Sequence, residues 1–170
     1  MRRLTQDRHF QRVNLIVLMV FGVAFGFVEA AVVYYLRALG DFHQNYVFSH
    51  YRTYLNLGFI SFVSPIQTLL VNHRVSVIEV TREAATIVML ATLAYVAART
   101  WKSRCGAFLV AFGCWDLAYY LFLRIEDNWP SSLFTKDVFF LIPVTWIGPV
   151  ITPIVLSFVI IVLGAKLYTD

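Results

Sequence analysis

Apolar residues in this chain gather into long uninterrupted blocks, and four of the blocks approach the length that a membrane demands. A hydrocarbon core about 30 Å thick takes about 20 consecutive apolar residues in a helix. The first block runs from Val13 to Leu36 and is interrupted by one charge, Glu29; the second runs from about Val77 to Ala98 and the third from Cys105 to Leu123. The fourth begins at Phe139 or Trp146 and ends at Leu167. The predicted spans are therefore 13–36, 77–98, 105–123 and 146–167. The first exceeds the roughly 7–15 apolar residues of a cleavable signal and lacks a small-residue cleavage site, so it reads as a retained span.

Two further segments break this pattern. Leu55 to Val71 is apolar apart from Asn56, Ser61, Ser64, Gln67 and Thr68, and Ser64-Pro65 interrupts it. Proline removes a backbone donor and clashes with the preceding turn, so 55–71 is expected to be re-entrant or interfacial. The stretch from Trp129 to Asp137 reads as a turn, followed by an interfacial helix over 135–142 that Thr135 caps and Pro143 ends. Together the two segments are expected to cover the outer end of the spans.

Orientation follows from basic residues in short flanking segments. Arg2, Arg3, Arg8 and Arg12 precede the first span, Arg99, Lys102 and Arg104 lie between the second and third, and Lys166 closes the fourth. With four spans all of these fall on one side, which places both termini in the cytoplasm and 37–76 and 124–145 outside. Counting 55–71 as a fifth span would put Arg99, Lys102 and Arg104 outside, against that rule. Trp101, Trp129, Trp146 and the Tyr34-Tyr35 pair fall near span ends, where amphipathic rings anchor at the interface.

Composition narrows the class. Of 170 residues, 59% are hydrophobic and 14% charged, with 16% aromatic; a soluble domain carries roughly 25% charged residues. A soluble enzyme and a disordered chain are both excluded, and two cysteines cannot staple a chain of this length. The expected fold is a single-domain, all-α integral membrane protein of about four helices in a bundle, in the bacterial inner membrane. The net charge of +4 is mostly the topology signal, and membrane lipids are the expected surface partner; no motif for nucleic acid accompanies it.

The few charges inside the spans carry the functional information. A charged side chain at the centre of a bilayer helix costs about 2.5–3.5 kcal/mol on insertion scales. At 1.5 Å per residue, Glu29, Glu83 and Asp116 all lie roughly 8–12 Å below the outer ends of three different spans. Glu79 and Arg82 sit just above them on the second, and Arg124 closes the third. Gly22, Gly26 and Ala30 form a small-residue ridge beside Glu29 that admits a neighbouring helix. Glu79, Arg82, Glu83 and Thr86 share one stripe, and Gly113, Asp116, Tyr119 and Tyr120 another. Thr145, Gly148 and Thr152, with Pro143, Pro149 and Pro153, are expected to kink the fourth span and free carbonyls toward a cavity. Arg82 and Arg124 could neutralise the acids in a register-fixing ion-pair network. The acids outnumber the arginines, however, and an excess acid must bind a cation, meet a cationic or hydroxylated ligand, or hold a proton.

Specific chemistries are poorly represented. Hard cations prefer carboxylate oxygens, making Glu29, Glu83 and Asp116 the metal candidates. His43, His50 and His73 make no close helical pair and lie outside the spans, which also removes haem ligation. No Cys-x-x-Cys-His run for covalent haem and no nucleotide motif occurs. Cys105 and Cys114 stand about 13 Å apart along one helix, beyond the roughly 7 Å limit of a disulfide. In span count, termini and outer acids the chain resembles the lipoprotein signal peptidase family, with a local likeness at Asn56-Leu57-Gly58-Phe59. That family's catalytic aspartates stand in Gly-Asn-x-x-Asp-Arg and Asn-x-Ala-Asp; here Asp116 stands in Cys114-Trp115-Asp116-Leu117, and the activity does not carry over. Without a nucleophile, metal spacing or dyad, the expected function is an accessory or structural subunit of a larger membrane complex. The alternative is a stand-alone transporter or intramembrane enzyme that uses the Glu/Asp/Arg cluster to bind an amphipathic ligand, cation or proton.

Overall fold

A computed structural model describes residues 2–39, 52–64 and 73–169, with side chains from residue 13 onward and from residue 74 in the last stretch. Four helices carry most of it: α1 (Arg2–Ala38), α2 (His73–Ala97), α3 (Trp101–Asp127) and α4 (Ile151–Thr169). Four short strands, β1 (Thr53–Asn56), β2 (Ser61–Val63), β3 (Lys136–Phe140) and β4 (Thr145–Pro149), form one antiparallel sheet in the order β1-β2-β4-β3. Among the described residues three helices are long and apolar enough to cross a membrane: α1 from Val13, α3 and α4. The protein is a mostly helical membrane protein with a small sheet.

The central helix is α3. Thr100 caps its start by accepting from the Ser103 N–H at 3.2 Å, which satisfies a donor the first turn cannot. At its other end Asn128 adopts φ 51° and returns its N–H to the Leu123 carbonyl; asparagine tolerates this left-handed turn better than most residues. Small residues set the helix spacing, because dispersion and close backbone approach hold helices together where lipid removes the hydrophobic drive. A Cβ on Gly22 would stand 2.7 Å from the Ala111 carbonyl oxygen, and one on Gly26 would stand 2.5 Å from that of Trp115. The expected ridge on α1 thus meets α3. On the opposite side α3 runs antiparallel to α4, with Gly106 beside Gly164 and Gly113 beside Ser157. The buried core joins Leu18 of α1, Leu90 and Ala94 of α2, Val110, Ala111 and Trp115 of α3, and Tyr168 of α4.

Several expectations are corrected. Within the segment expected to be re-entrant or interfacial, residues 55–64 belong to a hairpin: β1 and β2 pair from Thr53↔Val63 to Asn56↔Ser61, across a turn with Gly58 at φ 85°. Residues 65–71, including Pro65, lie outside the described residues. The interfacial helix over 135–142 is strand β3 instead. Val138, Phe139 and Phe140 are β-branched or aromatic, residue types that suit a pleated surface. The fourth span does not start at Trp146, which lies in β4 opposite Phe62 and Phe140; α4 starts at Ile151. Consequently the prolines do not kink it. Pro143 lies in the β3–β4 connection and Pro149 ends β4, while Pro153 occupies the first helical turn, where a missing N–H breaks no helical bond. The two segments expected to cover the acids do meet, since β2 pairs β4 from Ser61↔Ile147 to Val63↔Thr145.

Candidate functional site

The helix ends beneath the sheet bring the charged residues together. A cavity of about 100 Å³ is lined by Glu29 and Arg37 of α1, Glu79, Arg82 and Glu83 of α2, Trp115, Asp116, Tyr119 and Tyr120 of α3, and Asp137 to Leu141 of the sheet. Seven of the eight expected site residues are here: Glu29, Glu79, Arg82, Glu83, Asp116, Tyr119 and Tyr120. Their common depth on separate spans was the signal that marked most of them.

Two of the acids share one partner and the others have their own. Arg82 donates from Nε and Nη2 to Glu79 Oε2 at 2.9 and 2.6 Å, and from Nη1 to Glu29 Oε1. One guanidinium thereby ties α1 to α2, as the ion-pair expectation required. The remaining acids accept from neutral donors. Glu83 accepts the backbone N–H groups of Leu141, at 2.9 Å on Oε2, and of Ile142, at 3.2 Å on Oε1. It holds the turn after β3 to α2. Asp116 is buried and accepts from the Ser157 hydroxyl of α4 at 2.7 Å. Tyr120 donates to Asp137 Oδ2 at 2.8 Å rather than to Asp116. Burial pushes the Asp137 carboxyl up to about 6, although the Tyr120 hydroxyl, the Val138 N–H and the Arg37 charge pull the other way.

Among the described residues the buried Trp115 indole N–H has no partner, and Tyr119 lines the cavity beside it. A buried donor left unmade costs about 1–3 kcal/mol, so a ligand or water that accepts from it is stabilised.

Arg124 does not belong to the cluster. It donates from Nη1 to the carbonyl oxygens of Asn128 and Pro130 at 2.5 and 3.1 Å, closing the end of α3. Two residues that the sequence reading passed over take part instead. Arg37, a flanking arginine by position, pairs with Asp127 at 2.5 Å, lies 4.3 Å over the Trp129 ring and lines the cavity. Asp137, a loop acid by position, is carried inward by β3.

Among the described residues no three His, Cys, Asp or Glu side chains, the candidates Glu29, Glu83 and Asp116 included, converge to hold an ion. Of the loop histidines, His43 and His50 and the side chain of His73 lie outside the described residues. Cys105 and Cys114 are both free on α3.

Beside the polar cavity lies an apolar one. A groove of about 470 Å³ is lined by Ile87 of α2, Phe112 of α3, Phe139, Phe140 and Trp146 of the sheet, and Leu156 of α4. Asp116, Phe139 and Phe140 line both spaces. No protein-family model, curated protein or solved structure matches the chain.

Proposed function

We propose that this membrane protein binds one amphipathic ligand, with its polar head in the charged cavity and its apolar tail in the adjoining groove. The observation that supports this is the shared wall, since Asp116, Phe139 and Phe140 face a polar space on one side and an apolar space on the other. Ligand sites are mostly apolar hollows with a few convergent polar groups, and this pair has that character. Five carboxylates at the cavity face two guanidinium groups, which favours a head that is cationic or rich in hydroxyl donors. Tyr119 and Trp115 supply donors for an oxygen on the same head.

In this reading α2 is the fourth membrane crossing, its apolar part below Thr86 in the bilayer and its Glu79–Glu83 turn at the level of the head. Lys and Arg at the far helix ends put that side in the cytoplasm, with the site opening from the outer leaflet of a bacterial inner membrane. The accessory-subunit reading rests on exposed apolar side chains of α1 and α4, such as Ile16, Val20, Phe158 and Val162. Lipid covers those faces equally well, so the paired cavities favour ligand binding.

The test is to purify the protein in mild detergent and identify what it retains by mass spectrometry. One amphiphile enriched over bulk lipid is expected, and Asp116→Asn should lower its retention about tenfold or more, the scale of one charge-assisted hydrogen bond. Tyr119→Phe should weaken retention while leaving thermal unfolding in place. Retention of bulk lipid alone, or full retention by Asp116→Asn, contradicts the reading.

A further inference from the structure

Arg124, excluded from the acid cluster, marks a second site. Its two bonds to Asn128 and Pro130 both use Nη1 and fix the plane of the guanidinium. Among the described residues its Nε and Nη2 meet no acceptor and no carboxylate pairs with it. Below this fork a groove of about 540 Å³ lies between α3 and α4, walled by Leu117, Leu121, Ile154 and Phe158, with Ser131 on its rim. Because the helices are antiparallel, the descent from Arg124 through Leu121 to Leu117 on α3 matches the descent from Ile154 to Phe158 on α4. Leu121 and Phe158 are 57% and 59% exposed, and both helices are apolar enough to span a membrane.

We propose that this groove holds an anionic phospholipid, its phosphate on the free edge of Arg124 and the Ser131 hydroxyl and an acyl chain along the four apolar side chains. A guanidinium presents parallel N–H donors that match phosphate oxygens. The arginine stands where an apolar helix face gives way to a polar turn, the level at which a bilayer carries its phosphates. A soluble anion would have no use for the apolar wall. A zwitterionic lipid brings its own cation to the arginine. The proposal does not depend on the polar cavity, from which Arg124 is absent.

The test uses the full chain in vesicles of mixed phosphatidylglycerol and phosphatidylcholine, re-extracted in mild detergent, with retained lipid measured by mass spectrometry. Phosphatidylglycerol should be enriched about fivefold over phosphatidylcholine, about the scale of one basic residue at an anionic surface. Arg124→Lys should keep part of that enrichment and Arg124→Gln should abolish it, while excess inorganic phosphate displaces nothing. A second arm keeps the arginine: Leu121→Trp places an indole in the groove, where brominated phosphatidylglycerol should quench it more than brominated phosphatidylcholine does. Equal retention of the two lipids, enrichment that survives Arg124→Gln, or equal quenching overturns the proposal. Displacement by free phosphate overturns it in favour of a soluble anion.

Discussion

Asp137 is 4% exposed, and its hydrogen bond from Tyr120 does not offset the loss of water around its charge. The charged groups that face it are Arg37 and, more distantly, Asp116, with Tyr119 and Tyr120 beside it. Its folded-state value of about 6 lies above that of an unfolded aspartate, so the folded state binds the proton more tightly. Stability from this group is therefore full below about pH 4 and falls as pH rises through about 6, by on the order of 2–3 kcal/mol. Asp137→Asn should unfold at a higher temperature than the parent at pH 8, with the gap closing by pH 4. Parallel melting profiles across that range would refute the assignment. Glu83 acts differently, since its carboxylate receives two backbone N–H groups. Glu83→Ala should destabilise the fold by about 1–3 kcal/mol, and Glu83→Gln, which keeps one acceptor, should recover part of it in the same melting assay. Span depth alone revealed Glu29, Glu83 and Asp116, because a bilayer makes an interior charge expensive wherever the chain later packs. It could not reveal Arg37 or Asp137, which lie outside the spans and enter the cavity only through tertiary structure. Nor could it separate Arg124 from the cluster, since depth says nothing about which way a side chain turns at a helix end.

The elements divide in the same way. Helices were legible because each apolar block had the length of a span. The ridge of Gly22 and Gly26 also announced the contact with α3. Gly26→Ala should disturb that contact most, because its Cβ would meet backbone, the Trp115 carbonyl oxygen at 2.5 Å, which cannot move like a side-chain end. A loss of about 1–3 kcal/mol is expected, visible as a lower melting temperature, whereas Gly58→Ala would meet open space and suffer only from its positive φ. Wild-type stability in Gly26→Ala would show that α1 and α3 do not approach so closely. The sheet was not legible, because strands of three to five residues set among apolar spans are too short for an alternation of two to stand out. Proline was misleading for a related reason: Pro143 and Pro149 break helices, but strand ends and turns accommodate them equally well.

For the whole molecule, scarce charge and abundant apolar surface describe one arrangement. Three helices among the described residues are suited to a bilayer and carry apolar side chains outward, and the sheet closes over the end where α1, α2 and α3 gather their acids. Arg82 ties two of those acids, while Glu83, Asp116 and Asp137 accept hydrogen bonds from neutral donors. Asp116, Phe139 and Phe140 also border an apolar space of about 470 Å³. The central claim is that the two spaces serve one amphipathic molecule. Experimental density for the protein in lipid nanodiscs tests it most directly. The account predicts a continuous amphiphile with its head against Asp116 and Tyr119 and its tail beside Phe112 and Trp146; side chains or water alone filling both spaces would contradict it.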